Sequence, residues 1–206
     1  MKDHLEIIKE LNLENYLKIL LKYNNSNDLP YHNFYHHLCV MKNCYEICQG
    51  LDLGEINGEE LRLLCKAALV HDFNHSGGKF KDEVNVQNAI EAFWYNFPNE
   101  KSENIKIINE IIKATQYPYV IEEKDLTLLQ MIIRDADLLQ VCEDNWLQQI
   151  IFGLKNEMNI NLETILKESK DFWSNINFHT SIATNKLDKF KNNRLESVDY
   201  LLKIIE

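Results

Sequence analysis

Histidine and aspartate residues with the types and spacing for metal binding occur in three separate stretches of the chain. In the first, YHNFYHHLCV, His32 and His36 are four residues apart. Residues four apart on a helix lie on one face, so both imidazoles would point towards one centre. A neutral imidazole nitrogen binds zinc and similar divalent ions directly. His37 would point about 100° away from His36, and we expect it to be a bystander.

The other two groups interrupt apolar helical segments. In AALVHDFNHSGG, an apolar run ends at His71 and Asp72, with His75 one turn later, and in MIIRDADLLQVC an alanine and two leucines flank Asp137. Burying such groups is costly without partners, and a buried carboxylate needs a counter-charge. One divalent ion bound by His36, His71, Asp72 and Asp137 would satisfy both segments, because two neutral and two anionic ligands compensate its charge.

The elements that position these groups are predicted to be helices. Apolar residues recur every three or four positions in LEIIKELNLENYLKILLKY, and long alternating strand patterns are scarce. The spacing of Asn57 and Glu60 indicates a capping box. We therefore predict an all-α, single-domain helical bundle over residues 1–206, with the metal site at its centre. Beyond the N-terminal helical segment, the predicted helices cover about 35–49, 58–74, 82–97, 101–117, 125–141, 143–157, 161–177 and 184–205; the metal-site core spans about 31–140, and the C-terminal helices lie in 143–206.

Composition narrows the possible settings and partners. With 206 residues, 45% of them apolar, the chain is long enough for one buried core. A net charge of -10 argues against nonspecific binding to nucleic acids and anionic membranes. The five cysteines are an odd number without a CxxC pair, which is typical of reduced thiols. The charged N-terminus lacks a signal-peptide pattern, and no apolar run approaches the roughly 20 residues of a membrane span, so we expect a cytoplasmic protein. The sequence does not predict its oligomeric state.

The order of these motifs resembles a known family. The pair His71-Asp72, followed far along a helical chain by Asp137, resembles the HD-domain metal-dependent phosphohydrolase superfamily. More narrowly, YHNxxH at 31–36 and HDxxHxG at 71–77 are similar to the signature of cyclic-nucleotide phosphodiesterase catalytic domains. The elements AT at 114–115 and ADL at 136–138 extend the resemblance, which covers residues 31–140.

The resemblance implies an HD-type bundle, one or two divalent ions (Zn, Mn, Mg or Fe) and a role for each matching residue. His32 corresponds to the general acid, and Asp72 also bridges to a second, more hydrated ion. His75 and Thr115 are expected to hold the inner ligands through hydrogen bonds. The implied ligands of the tighter metal are His36, His71, Asp72 and Asp137.

The chain also departs from the family pattern. Asn74 and Gln116 stand where the family has aspartates, and YPYV at 117–120 replaces a histidine-containing segment, which weakens the second metal shell and substrate orientation. The late glutamine and phenylalanine that clamp the purine have no clear match. The candidate substrate contacts with the right spacing are Gln149 with Phe152 and Asn175 with Phe178, although all four are also ordinary helical core and surface residues.

The function expected from these residues is hydrolysis of a small phosphate ester. The leading prediction is a phosphodiesterase that acts on a cyclic nucleotide or a related diester, with a hydroxide bridging the ions as nucleophile and His32 protonating the leaving oxygen. A nucleotidase or other phosphomonoesterase of the same superfamily is the alternative, as is a noncatalytic module that binds a nucleotide. His71-Asp72-x-x-His75 also has the spacing of HExxH zinc peptidases, but that motif requires glutamate at position 72.

Overall fold

The computed structural model describes residues 2–52 and 54–205, and within them it contains helices and no strand. This confirms the all-α prediction. The α-helices are α1 His4–Glu10, α2 Glu14–Tyr23, α3 Phe34–Gly50, α4 Gly58–Val70, α5 Asp82–Asn96, α6 Ser102–Lys113, α7 Leu128–Leu138, α8 Lys155–Met158, α9 Leu162–Asn175 and α10 Ser181–Ile205. Short 3-10 helices occupy Glu123–Asp125 and Leu139–Cys142, and a π-helix occupies Leu147–Leu154.

Side-chain caps fix where the site-bearing helices begin. The Asn33 side chain accepts a hydrogen bond from the His36 backbone N–H at 3.1 Å, which places His36 in the first turn of α3. Asn57 and Glu60 form the predicted capping box at the start of α4. Thr127 caps α7 in the same way. Because a cap satisfies backbone N–H groups that lack a partner within the helix, each start is defined to the residue.

The helix α3 lies at the centre of the bundle. It packs against α4 and α7, while α4 also packs against α6, and α9 packs against α10. Fully buried side chains from the three central helices fill the space between them, including Met41, Leu64, Leu69 and Ile132. Burying an aliphatic side chain of this size contributes about 1.5–3 kcal/mol. The central helices are therefore held rigidly where the histidines and aspartates lie.

Several predicted helices end earlier than the apolar pattern indicates. The helix α4 ends at Val70 rather than near residue 74, so His71 and Asp72 lie on a turn. Asn74 follows with a φ of 60°, and Gly77 has a φ of 66°. The left-handed region suits asparagine and glycine and terminates a right-handed helix. The motif residues are therefore presented by a turn of fixed shape at the end of α4.

Two polar side chains fasten α7 to its neighbours. The Asn43 amide on α3 donates to the backbone oxygen of Ala136 at 3.0 Å. Asp135 accepts the hydroxyl hydrogen bond of Thr180, at 2.7 Å, just before α10 begins. These contacts lie one and two residues before Asp137, so they fasten the backbone of α7 that carries it.

The five cysteines are free thiols, and four of them are buried. Burial raises the pKa of the Cys44 and Cys65 thiols well above the ordinary value. These residues therefore pack as small apolar side chains, as predicted. A bilayer-spanning helix would need length and apolar character together, and none of the helices within 2–52 and 54–205 has both.

Candidate metal centre

Four donor atoms from three parts of the chain converge where α3, α7 and the turn after α4 meet. His36 Nε2 lies 3.3 Å from Asp72 Oδ2 and 3.1 Å from Asp137 Oδ1. His71 Nε2 lies 3.1 Å and 3.5 Å from the same two oxygens. The two Nε2 atoms are 3.3 Å apart. The structure thus brings together the four residues that the sequence identified as metal ligands.

The rings of His36 and His71 are oriented by the partners of their Nδ1 atoms. His71 Nδ1 donates to the backbone oxygen of Ala68 at 2.8 Å, and His36 Nδ1 donates to Gln140 Oε1 at 2.7 Å. A carbonyl oxygen only accepts, so the proton of each neutral ring resides on Nδ1 and the Nε2 lone pair faces the centre. Metal-binding histidines are held in this way. Two lone pairs and two carboxylates at this separation repel one another unless a cation lies between them, so the donor set fits a divalent metal.

The pKa values of His36 and Asp137 also indicate that the centre favours positive charge. Burial lowers the pKa of His36, but hydrogen bonds with Asp137 and Asp72 outweigh it and raise the pKa to about 9. Burial raises the pKa of Asp137, but hydrogen bonds with His36 and His71 hold it well below its usual range. Both carboxylates are therefore charged, and a bound divalent ion takes the place of protons at such a site.

His32 lies beside this centre and is held by Glu157, a residue that the sequence analysis missed. Its Nδ1 forms an ion pair with Glu157 Oε1. Glu157 Oε2 accepts the backbone N–H groups of Tyr31 and His32 at 2.8 and 3.0 Å. The Glu157 side chain is 2% exposed and that of His32 is 22% exposed. The imidazole is therefore fixed in orientation while remaining accessible to a substrate.

His75 and Thr115, expected to support the metal ligands, form their hydrogen bonds elsewhere. His75 stacks on His32 with 3.6 Å between ring centroids, and its Nε2 lies 2.9 Å from Asn85 Nδ2. Burial lowers the pKa of His75 to about 4, so the ring is neutral. The Thr115 hydroxyl donates to the backbone oxygen of Ile112 at 2.8 Å, because α6 ends there and leaves that oxygen unpaired. In place of the predicted contacts with the four candidate ligands, His75 contacts His32 and Thr115 forms a hydrogen bond at the end of α6.

The four candidate substrate contacts remain outside the donor cluster. Within residues 2–52 and 54–205, no hydrogen bond or ring contact joins them to the four ligands. Gln149 is partly buried on the π-helix, where Phe152 is 41% exposed. The Asn175 amide donates to a backbone oxygen of its own helix at 2.8 Å, and Phe178 is partly buried. Gln149, Phe152 and Asn175 have the environments of ordinary helical residues, and Phe178 lies between α9 and α10.

Of the two residues that depart from the family pattern, Asn74 makes structural contacts of its own, and Gln116 lies beside a residue that does. Asn74 accepts the backbone N–H of Asn25 at 3.0 Å and donates its own N–H to Asn24 at 2.8 Å, which ties the turn that carries His71 and Asp72 to the loop after α2. Gln116 precedes Tyr117, whose N–H donates to Asp82 Oδ2 at 2.7 Å. Asp82 Oδ1 in turn lies 3.9 Å from His75 Nε2. Asp82 therefore links this loop to the site, and no pattern in the sequence marked it.

Neither a scan against protein-family models nor a search of curated proteins finds a match for this chain. The geometry of the described residues and the resemblance of the motifs are therefore the grounds for a functional proposal.

Proposed function

We propose that this protein is a metal-dependent phosphodiesterase of the HD-domain type that hydrolyses a nucleotide diester in the cytoplasm. The observation that carries the proposal is the convergence of two imidazoles and two carboxylates, with each imidazole Nε2 3.1–3.5 Å from both carboxylates, beside a third imidazole that is oriented by a buried glutamate. Two imidazoles and two carboxylates suit Zn, Mn or Fe, and carboxylates also suit Mg. A divalent ion held there would act as a Lewis acid on the phosphoryl oxygens and lower the pKa of a water molecule.

His32 is proposed to protonate the leaving oxygen. Its ring centroid lies 5.7 Å from that of His36, so an ester oxygen placed next to the ligands would be within hydrogen-bond reach of His32. Glu157 at Nδ1 directs the other ring nitrogen away from itself, towards the position of the ester oxygen. Such general-acid catalysis contributes typically 10²- to 10⁴-fold.

The acidic groups of the protein would repel an anionic substrate. The chain carries a net charge of -10, and Asp72, Asp137, Asp82 and Glu157 all lie in or beside the site. An anionic phosphate would be repelled unless positive charge is concentrated at the centre. The proposal therefore makes phosphate binding conditional on metal loading.

A substrate screen with metal analysis tests the proposal. The purified chain, supplied with Mn, Mg, Zn or Fe, is assayed against cyclic mononucleotides, cyclic dinucleotides, linear diesters, nucleoside monophosphates and aryl phosphates. We expect hydrolysis of diesters and one or two equivalents of metal by mass spectrometry. Hydrolysis of monoesters alone would replace the proposal with a phosphomonoesterase, and neither stoichiometric metal nor turnover would leave a noncatalytic module.

The chain offers a matched control for this screen. His179 also pairs with a glutamate, since its Nδ1 lies 3.5 Å from Glu123 Oε1, but this pair is separate from the donor cluster. We expect His179→Gln to keep both metal content and turnover. The comparison separates loss of a catalytic histidine from loss of any partly buried histidine.

A further inference from the structure

A loop of exposed aromatic residues borders the metal centre and takes no part in the chemistry proposed above. It joins α6 to the following 3-10 helix over residues 114–122. Tyr117 is 69% exposed and Tyr119 is 41% exposed, and their rings meet edge to face with 5.7 Å between centroids. Aromatic side chains exposed to this extent on an ordered loop are available to bind a ligand.

Arg134 on α7 holds this loop in place. Its Nε donates to the backbone oxygen of Ala114 at 2.7 Å, and its Nη2 donates to that of Ile121 at 3.1 Å. The guanidinium carbon lies 3.9 Å from the centroid of the Tyr119 ring, and Arg134 is 3% exposed. A cation packed on an aromatic face away from solvent stabilises the pair. One face of Tyr119 is therefore covered by a fixed cation, and the ring cannot swing freely.

The loop spans one edge of the metal centre. Arg134 and Asp137 are three residues apart on α7, so they are neighbours on one face of the helix. Burial, followed by the nearby Asp137 carboxylate, raises the pKa of the Tyr119 phenol. At the other side, Tyr117 is bonded to Asp82, which lies 3.9 Å from the His75 ring. The loop is thus tied to the Asp137 side of the site through Arg134 and to the His75 side through the backbone of Tyr117.

We propose that Tyr119, held by Arg134 and flanked by Tyr117, is the surface on which the aromatic base of the nucleotide stacks. This inference rests on the proposed function, because the phosphate of the same molecule would bind at the metal centre. Stacking on an aromatic side chain tolerates any base, since every base has a π-face. The protein should therefore prefer nucleotides over sugar phosphates while discriminating weakly among bases.

The test compares two monophosphates that differ only in the base. Affinities of the Mn-loaded chain for adenosine 5′-monophosphate and ribose 5-phosphate are measured by calorimetry for wild type, Tyr119→Leu and Tyr119→Phe. We expect Tyr119→Leu to weaken binding of the nucleotide roughly 10-fold and to leave ribose 5-phosphate unchanged, because only stacking is lost. Tyr119→Phe, which keeps the ring, should retain the nucleotide affinity within about two-fold. Tyr95→Leu is the control, since Tyr95 is 86% exposed on α5.

The ratio of the two affinities within one variant distinguishes loss of stacking from misfolding, because a damaged site would weaken the binding of both ligands. A ratio unchanged by Tyr119→Leu, or near one in the wild type, overturns the inference even if diesters are hydrolysed. Nucleotide binding that depends on Tyr119 without hydrolysis of any diester supports the inference and overturns the proposed function. Binding of neither probe overturns both.

Discussion

The histidines of this protein are distinguished by what holds their second ring nitrogen. His36 and His71 donate from Nδ1 to carbonyl oxygens and direct Nε2 to the centre. His37 is equally buried, but its Nε2 lies 3.1 Å from an asparagine amide and its Nδ1 has no partner. Burial lowers the pKa of His37 well below its usual value, so it is a neutral packing residue. His32 is held at Nδ1 by the buried carboxylate of Glu157, and His75 Nδ1 lies 3.7 Å from the same carboxylate.

Substitution of His32 should separate catalysis from metal binding. We expect His32→Ala to keep metal content while lowering kcat by about 10²- to 10⁴-fold, because the general acid is lost. Asp72→Ala and Asp137→Ala should lose both metal and turnover, since each removes a donor atom. Metal content by mass spectrometry and initial rates decide between the roles. Equal metal loss in all three variants would contradict them.

Substitution of Glu157 should reproduce part of the His32 effect. Glu157→Gln removes the charge that holds Nδ1 but keeps a hydrogen-bond acceptor near the two backbone N–H groups. We expect kcat to fall about 10- to 100-fold, with metal content kept and KM changed less than kcat, because the glutamate acts only through His32. His179→Gln, which breaks the other histidine–glutamate pair from its histidine side, should leave kcat unchanged. A KM increase with unaltered kcat would assign Glu157 to substrate binding instead.

The sequence predicted the residues that converge in the candidate metal centre but not the residues that orient them. His36, His71 and Asp137 could be recognised because charged groups within apolar helical segments require a partner. Glu157 follows the π-helix in an ordinary polar stretch, and Gln140 follows α7 in a similar context. Their roles arise from contacts with residues more than a hundred positions away, which no local pattern reveals.

At the scale of elements, α7 carries two aspartates with different functions. Asp137 faces the metal centre, whereas Asp135 accepts the backbone N–H groups of His179 and Thr180 at 2.9 and 2.8 Å. Asp135 also accepts the Thr180 hydroxyl, so it fastens the start of α10 to α7. The sequence marked both residues as anomalies on an apolar helix, and only the fold distinguishes their roles.

Replacing Asp135 should lower the free energy of unfolding without lowering the metal content. In Asp135→Asn, an amide N–H₂ replaces one of two accepting oxygens that face only donors, and we expect the free energy of unfolding to fall by about 2 kcal/mol. Metal content per folded chain should remain that of the wild type. Urea denaturation with metal analysis measures both, and Asp188→Asn on the exposed side of α10 serves as control. Selective loss of metal would place Asp135 among the ligands.

Element boundaries were less predictable than element types. The apolar period located α3, α5 and α9 to within two residues, because their interiors follow one continuous stripe. The end of α4 at Val70 depends on the left-handed turn at Asn74 instead. The segment predicted as one helix over 143–157 contains a π-helix over Leu147–Leu154, and a Cβ atom at Gly153 would lie only 2.9 Å from the backbone oxygen of Pro30. The apolar periodicity of the sequence does not reveal such close tertiary packing.

At the scale of the whole molecule, a buried ion pair joins three helices behind the site. Glu100 Oε2 accepts hydrogen bonds from Lys66 on α4 and Tyr16 on α2, each at 2.6 Å. Glu100 Oε1 accepts one from Asn104 on α6 at 2.7 Å. Burial raises the pKa of Glu100, but these three hydrogen bonds outweigh it and lower the pKa to about 2. The network therefore stabilises the fold only while Glu100 is charged.

The stability of the protein should depend on Glu100 in a defined pH window. A pKa lowered from 4.5 to about 2 means that the stabilisation is complete above pH 4.5 and is lost as the pH falls towards 2. We expect Glu100→Gln to lower the free energy of unfolding by about 2 kcal/mol at pH 7, since Lys66 stays buried without a counter-charge. The difference in the free energy of unfolding between wild type and variant should shrink below pH 4.5. Taking this difference cancels the contribution of every other acid-sensitive group, because both proteins share those groups.

Urea denaturation at pH 7 and at several values from 5 to 2.5 measures this difference directly. Glu110→Gln is the matched control, because Glu110 pairs with Lys113 at 2.7 Å while its side chain is 59% exposed. A solvent-exposed pair of this kind contributes about 0–1 kcal/mol, so the control should show little change at any pH. A Glu100→Gln deficit that is the same at pH 3 and pH 7 would show that packing, rather than the charge of Glu100, connects the three helices.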